Sequence, residues 1–114
     1  MTRKSGWWGT DLDGTLAFYD KFSPVIGEPI PKMQERVKRW IAEGREVRIV
    51  TARVSPKDSQ TKEEVEQIRT MIEDWCEKHL GKRLQVTNEK DHGIIELWDD
   101  RAIQVIKNTG ERVG

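Results

Sequence analysis

Short apolar runs alternate with two segments of helical periodicity, and this alternation limits how the chain can fold more than any other feature. Trp7-Trp8-Gly9-Thr10-Asp11-Leu12 reads as a first strand, ended by the turn pair Asp13-Gly14. Pro24, Pro29 and Pro31 make the stretch from Ala17 to Pro31 a loop or flap, with Pro31 suited to the first turn of a helix. Met33, Val37, Trp40 and Ile41 then share one helical face, and Gly44 stops the helix. Glu46 to Thr51 is rich in β-branched residues and reads as a buried strand. After a polar loop over Ala52 to Gln60, the capping box Thr61-x-x-Glu64 opens a second helix. Its apolar stripe is Val65, Ile68, Ile72, Trp75 and Cys76, and Gly81 closes it. Leu84 to Thr87 and Ile94 to Trp98 read as third and fourth strands, and Ala102 to Ile106 alternates weakly as a fifth.

Strands separated by helices call for an α/β fold with a mainly parallel sheet of four to five strands and right-handed crossovers. The 114 residues suit one domain spanning the whole chain. Ligands of such sheets bind outside the carboxyl ends of the strands. Here those ends carry Asp11 and Asp13, then Thr51 and Arg53, then the residues after Thr87, and finally Asp99 and Asp100.

Asp11-Leu12-Asp13-Gly14-Thr15 is the segment with the most chemistry in it. Residues two apart on a strand point to the same side, so the two carboxylates repel unless a proton or a cation lies between them. Mg2+ takes oxygen ligands and relieves that repulsion. Gly14 permits a sharp turn and a close approach of backbone N–H groups to a bound anion. The alternative is a plain Asp-Gly hairpin turn. An EF-hand fits worse, because Gly14 comes too early and Phe22 stands where a glutamate is needed.

The composition excludes some classes of function. Twenty basic and 20 acidic residues balance, which argues against broad attraction to nucleic acid or membrane. Cys76 is the only cysteine, so no internal disulfide forms. With a polar start at Met1-Thr2-Arg3-Lys4-Ser5 that does not read as a signal segment, this sets a cytoplasmic expectation. No run approaches the roughly 18 apolar residues of a membrane helix. The polar end, Asn108 to Gly114, reads as a tail.

Asp11-x-Asp13-Gly14-Thr15 resembles the first motif of the haloacid dehalogenase (HAD) superfamily of phosphatases. Val47 to Thr51 resembles its second motif, Lys90 its third, and Trp98-Asp99-Asp100 its acidic fourth, all in the family's order. The resemblance spans Trp7 to about Arg101. The run before Asp11 departs from the aliphatic pattern usual there, and the short gaps leave no room for a cap domain. What the resemblance implies is a capless, three-layer Rossmann-like phosphohydrolase with Mg2+ as cofactor. It makes Asp11 the nucleophile that forms an aspartyl-phosphate, and Asp13 the general acid and then base. Thr51 bonds a phosphate oxygen, and Lys90 offsets charge on the phosphoryl group. Gly14 and Thr15 face the substrate. From its own position two residues past Thr51, Arg53 reaches a second phosphate or acidic group of the substrate. Asp99 holds the metal with the Asp11 side chain and the Asp13 carbonyl, and Asp100 is helper or alternate ligand.

Each residue also has a plainer reading. Thr51 fits a strand-end cap, Lys90 a solvated charge, Asp99 and Asp100 a turn, and Arg53 a surface ion pair. Lys32, Arg36, Lys38, Arg39, Arg45, Arg48 and Arg53 cluster in sequence and fit a charged surface or a face for an anionic partner. An open site of this type accepts a phosphorylated small molecule or nucleic-acid end, or borrows a lid from a second copy of the chain. Phe18-Tyr19-Asp20-Lys21-Phe22 is the candidate flap. Its aromatics either stack on a base or sugar or, as the plainer reading has it, pack down onto the core. The rival functions are a silent phosphate-binding regulatory module and a receiver-like phosphoacceptor.

Overall fold

The computed structural model describes residues 5–114. The stretch 1–4, part of the polar start read against a signal segment, lies outside them. Four strands, β1 (Trp7–Thr10), β2 (Glu46–Val50), β3 (Gln85–Thr87) and β4 (Ile94–Trp98), form one sheet in the order β3-β2-β1-β4. Every pairing is parallel, as expected of strands joined by helices. Two helices, α1 (Pro31–Ala42) and α2 (Lys62–Leu80), make the first two crossovers. The fold is therefore α/β and Rossmann-like.

Local chemistry sets the helix ends. Pro31 occupies the first turn of α1, and its lost N–H would have had no helical partner. Thr61 accepts a bond from the Glu64 N–H while the Glu64 side chain accepts one from the Thr61 N–H, which completes the capping box of α2. Gly81 ends α2 at φ 82°, a conformation that disfavours side chains with a Cβ.

The core lies between the sheet and the two helices. Trp8, Val47, Ile49 and Val86 face Met33, Val37 and Trp40 of α1 and Ile72, Trp75 and Cys76 of α2 in one cluster. Both helices thus cover the same face of the sheet. Among the described residues no helix covers the other face, so the expected third layer is replaced by side chains. Trp7 is buried there beneath the Arg48 guanidinium, 4.5 Å from the ring centroid, and its Nε1 donates to Asp91 Oδ1 at 2.8 Å. Arg45 covers Trp8 and Arg36 covers Trp98 in the same way. Three members of the basic cluster in the sequence are therefore lids on tryptophans.

The weakly alternating Ala102–Ile106 segment does not join the sheet. Gln104 and Ile106 instead bond back to Val113 and Glu111 across a turn, with one isolated bridge between Val105 and Arg112. Its apolar residues Ile103, Val105 and Ile106 are exposed, so alternation there reflects a small surface turn rather than a buried strand.

Candidate active site

The carboxyl ends of β1, β2 and β4 converge on one cavity of about 380 Å3 lined by Asp11, Asp13, Thr51, Arg53, Asp99 and Asp100, among others. β1 stops at Thr10, so both aspartates stand just beyond the strand. The Asp11 N–H donates to the Trp98 carbonyl at 2.8 Å and fastens the end of β1 to the end of β4. The Leu12 carbonyl then accepts from the Leu16 and Ala17 N–H groups, folding Asp13–Thr15 into a tight loop.

Carboxylate oxygens of Asp11, Asp99 and Asp100 all lie within 4.8 Å of one another. Partial burial pushes the Asp11 carboxyl up to about 7, and its hydrogen bond to Asp100 and the charge of Asp99 push the same way. Asp100 moves down, although burial acts against it, because Thr15 and Asp11 donate to it. The three acidic groups crowd their oxygens together where a divalent cation would suit them. All-oxygen, carboxylate-rich donors fit Mg2+. The Asp13 carboxylate is outside this cluster, which leaves only its carbonyl for the metal role the sequence suggested.

The Asp13 side chain turns instead to Arg53. The guanidinium grips it with two bonds, Nε to Oδ2 at 2.7 Å and Nη2 to Oδ1 at 2.9 Å, and a third nitrogen donates to the Pro24 carbonyl. Both side chains are only 20% exposed. The bond to Asp13 is the main reason the Arg53 guanidinium holds its proton more firmly than usual. Thr51, 3% exposed, accepts the Arg53 N–H on its hydroxyl while lining the cavity, so it is both strand-end cap and wall.

Gly14 and Thr15, placed by the sequence against substrate, meet Asp100. The Thr15 hydroxyl donates to Asp100 Oδ1 at 3.1 Å and accepts from the Asp100 N–H at 3.0 Å. Lys90 is exposed and does not line the cavity. Its loop is held by the Thr87 hydroxyl on the Glu89 N–H and by Asp91 on Trp7 and Gly93, which leaves Lys90 on the outside. Asn88, Arg101 and Val50 line the cavity and were not singled out from the sequence. For Arg101, its position directly after the acidic pair was the available signal.

The flap is a narrow loop whose base is tied by bonds from the Phe18 N–H to Glu28 and from the Ile30 N–H to Leu16. Its aromatics do not pack onto the core: Phe18, Tyr19 and Phe22 are 57%, 55% and 86% exposed. Leu16, Ala17 and Ile26 take the inward positions instead, and Trp75 Nε1 donates to the Gly27 carbonyl beneath them. Tyr19 lines the cavity.

No family model and no curated protein matches this chain. A solved structure described as a conserved protein coded by locus from Bacteroides thetaiotaomicron is similar, with a TM-score of 0.54 at 21% identity. The alignment covers 86% of this chain and 78% of that one, a likeness of fold alone.

Proposed function

We propose that the protein is a magnesium-dependent phosphomonoesterase of the HAD type, acting in the cytoplasm on a phosphorylated substrate. The observation that carries this reading is the clustering of Asp11, Asp99 and Asp100 at the strand ends, with Asp13 beside them but turned away. Asp11 and Asp99, with Asp100 as a further oxygen donor, would hold the cation. Bound there, Mg2+ neutralises the carboxylates and draws charge from the phosphoryl oxygens.

In this reading an Asp11 carboxylate oxygen attacks phosphorus, and the bond from phosphorus to the leaving oxygen breaks. Asp13, released from Arg53 and carrying a proton, gives that proton to the leaving oxygen and becomes a carboxylate. Asp13 then takes a proton from water as the water oxygen attacks phosphorus, the bond to Asp11 breaks and inorganic phosphate leaves. The Thr51 hydroxyl donates to a phosphoryl oxygen. Arg53 and Arg101, which line the cavity, are the cations in place to offset phosphoryl charge, the part first given to Lys90. Tyr19 lines the same cavity.

The test is phosphate release from p-nitrophenyl phosphate, with and without Mg2+, by the wild type and by Asp11→Asn. Turnover that needs Mg2+ and is lost in the variant is expected. Silence on this and on a panel of nucleotide, sugar and polynucleotide phosphates, with Mg2+ and beryllium fluoride still binding, would replace the reading with that of a silent regulatory module.

A further inference from the structure

Beside the acidic cavity, and sharing Asp13, Tyr19, Ala52 and Arg53 with it, runs a second cleft of about 500 Å3. Each volume lies within the ordinary range of a small-molecule site. The two differ in charge. The first is built around three clustered carboxylates. The second is lined by Lys21, Arg53 and Lys57, and the one carboxylate among its lining residues is Asp13, which Arg53 already holds. Neither Lys21 nor Lys57 forms an ion pair among the described residues; the Lys21 ammonium rests 5.2 Å from the Phe22 ring centroid. Tyr19, Ile68 and Met71 give the cleft an apolar side, and Gln60 and Ser23 add polar groups.

We infer that this cleft binds a second phosphate of the same substrate, carried on a ring-bearing scaffold whose scissile phosphate lies at Asp11. The inference rests on the phosphatase reading of the neighbouring cavity. A monoester needs only the acidic cavity and its cation. The two unpaired lysines on the far side of Arg53 gain nothing from it, but each forms a charge-assisted contact with a second anionic group. Arg53 stands at the junction, so its guanidinium reaches either phosphate by leaving Asp13. The exposed ring of Tyr19, on the border of both clefts, offers a face to the scaffold between them.

The experiment compares matched pairs in the presence of Mg2+: adenosine 3′,5′-bisphosphate against adenosine 3′-monophosphate, and fructose 1,6-bisphosphate against fructose 6-phosphate. Wild-type protein is expected to show a KM about tenfold lower for the bisphosphate in at least one pair, a modest yield for added charge-assisted contacts. Lys57→Ala and Lys21→Ala should each shrink that ratio severalfold. The pair that shows the preference identifies the scaffold, nucleoside or sugar. Turnover with equal KM within both pairs, or a ratio that neither lysine variant changes, overturns the second-phosphate site and leaves the phosphatase reading standing. If no substrate is turned over, the same pairs are compared by equilibrium binding. Lysine-dependent preference for a bisphosphate then supports the cleft while the phosphatase reading falls, and equal binding within both pairs removes both.

Discussion

A Cβ placed on Gly14 would lie 2.9 Å from Oδ2 of Asp100, so any side chain there would displace the Asp100 carboxylate. Gly14 also sits at φ 89°, where a side chain is strained. Gly14→Ala is expected to cost about 1–3 kcal/mol of stability. It should also push Asp100 out of the cluster and weaken Mg2+ binding. Thermal melts and an Mg2+ titration followed by tryptophan fluorescence read the two effects separately. Unchanged Mg2+ affinity in the variant would show that Asp100 is not needed for the metal.

Asp11 yields a pH dependence whose sign can be worked out. Its carboxyl is raised in the folded protein from 3.8 to about 7, mainly by burial. The folded state therefore binds more protons than the unfolded state between these values, and its stability falls as pH rises through that window. Metal-free protein should melt at a higher temperature at pH 5 than at pH 7.5. Mg2+ should raise the melting temperature most above pH 7, where it does not compete with the proton. Asp11→Asn should flatten both trends, and a wild-type Tm that climbs from pH 5 to pH 7.5 would contradict the assigned burial.

Arg53 joins three elements: its own turn after β2, Asp13 after β1, and the Pro24 carbonyl in the flap. Arg53→Ala should cost about 1 kcal/mol. Hydrogen exchange should quicken for the flap, read at the Phe22 and Ser23 amides. Arg53→Lys should not restore slow exchange, because an ammonium cannot reproduce the two-pronged grip.

Thr61 tests stability without touching the site. Losing its half of the capping box should cost about 1 kcal/mol. For a domain of this size that is a fall of roughly 4 °C in Tm. Phosphate release by Thr61→Ala at 25 °C should match the wild type.

Cys76 is fully buried on α2, and burial pushes its thiol up to about 12. Aromatic disulfide reagents should leave it untouched in the native protein and label it within minutes in denaturant. Fast native labelling would show that α2 opens locally.

The sequence by itself settled the features that depend on neighbours along the chain. Pro31, the Thr61–Glu64 box and Gly81 each act within one helical turn, so both helices and their ends were legible. The runs at Trp7, Glu46, Leu84 and Ile94 announced the four strands, and their alternation with helices announced parallel pairing. The Asp11-x-Asp13 spacing and the Asp99-Asp100 pair marked both sides of the acidic cluster. Tertiary structure decided what depends on residues far apart in the chain. Asp13 is drawn from the cluster by Arg53, 40 positions away, and Thr15 is bound to Asp100, 85 positions away. Arg36 and Arg48 became covers for Trp98 and Trp7 because packing put an aromatic face beneath each. The flap aromatics stayed exposed because Leu16, Ala17 and Ile26 had already filled the space below. Periodicity reports which side of an element is apolar; it cannot report which distant side chain arrives to meet it.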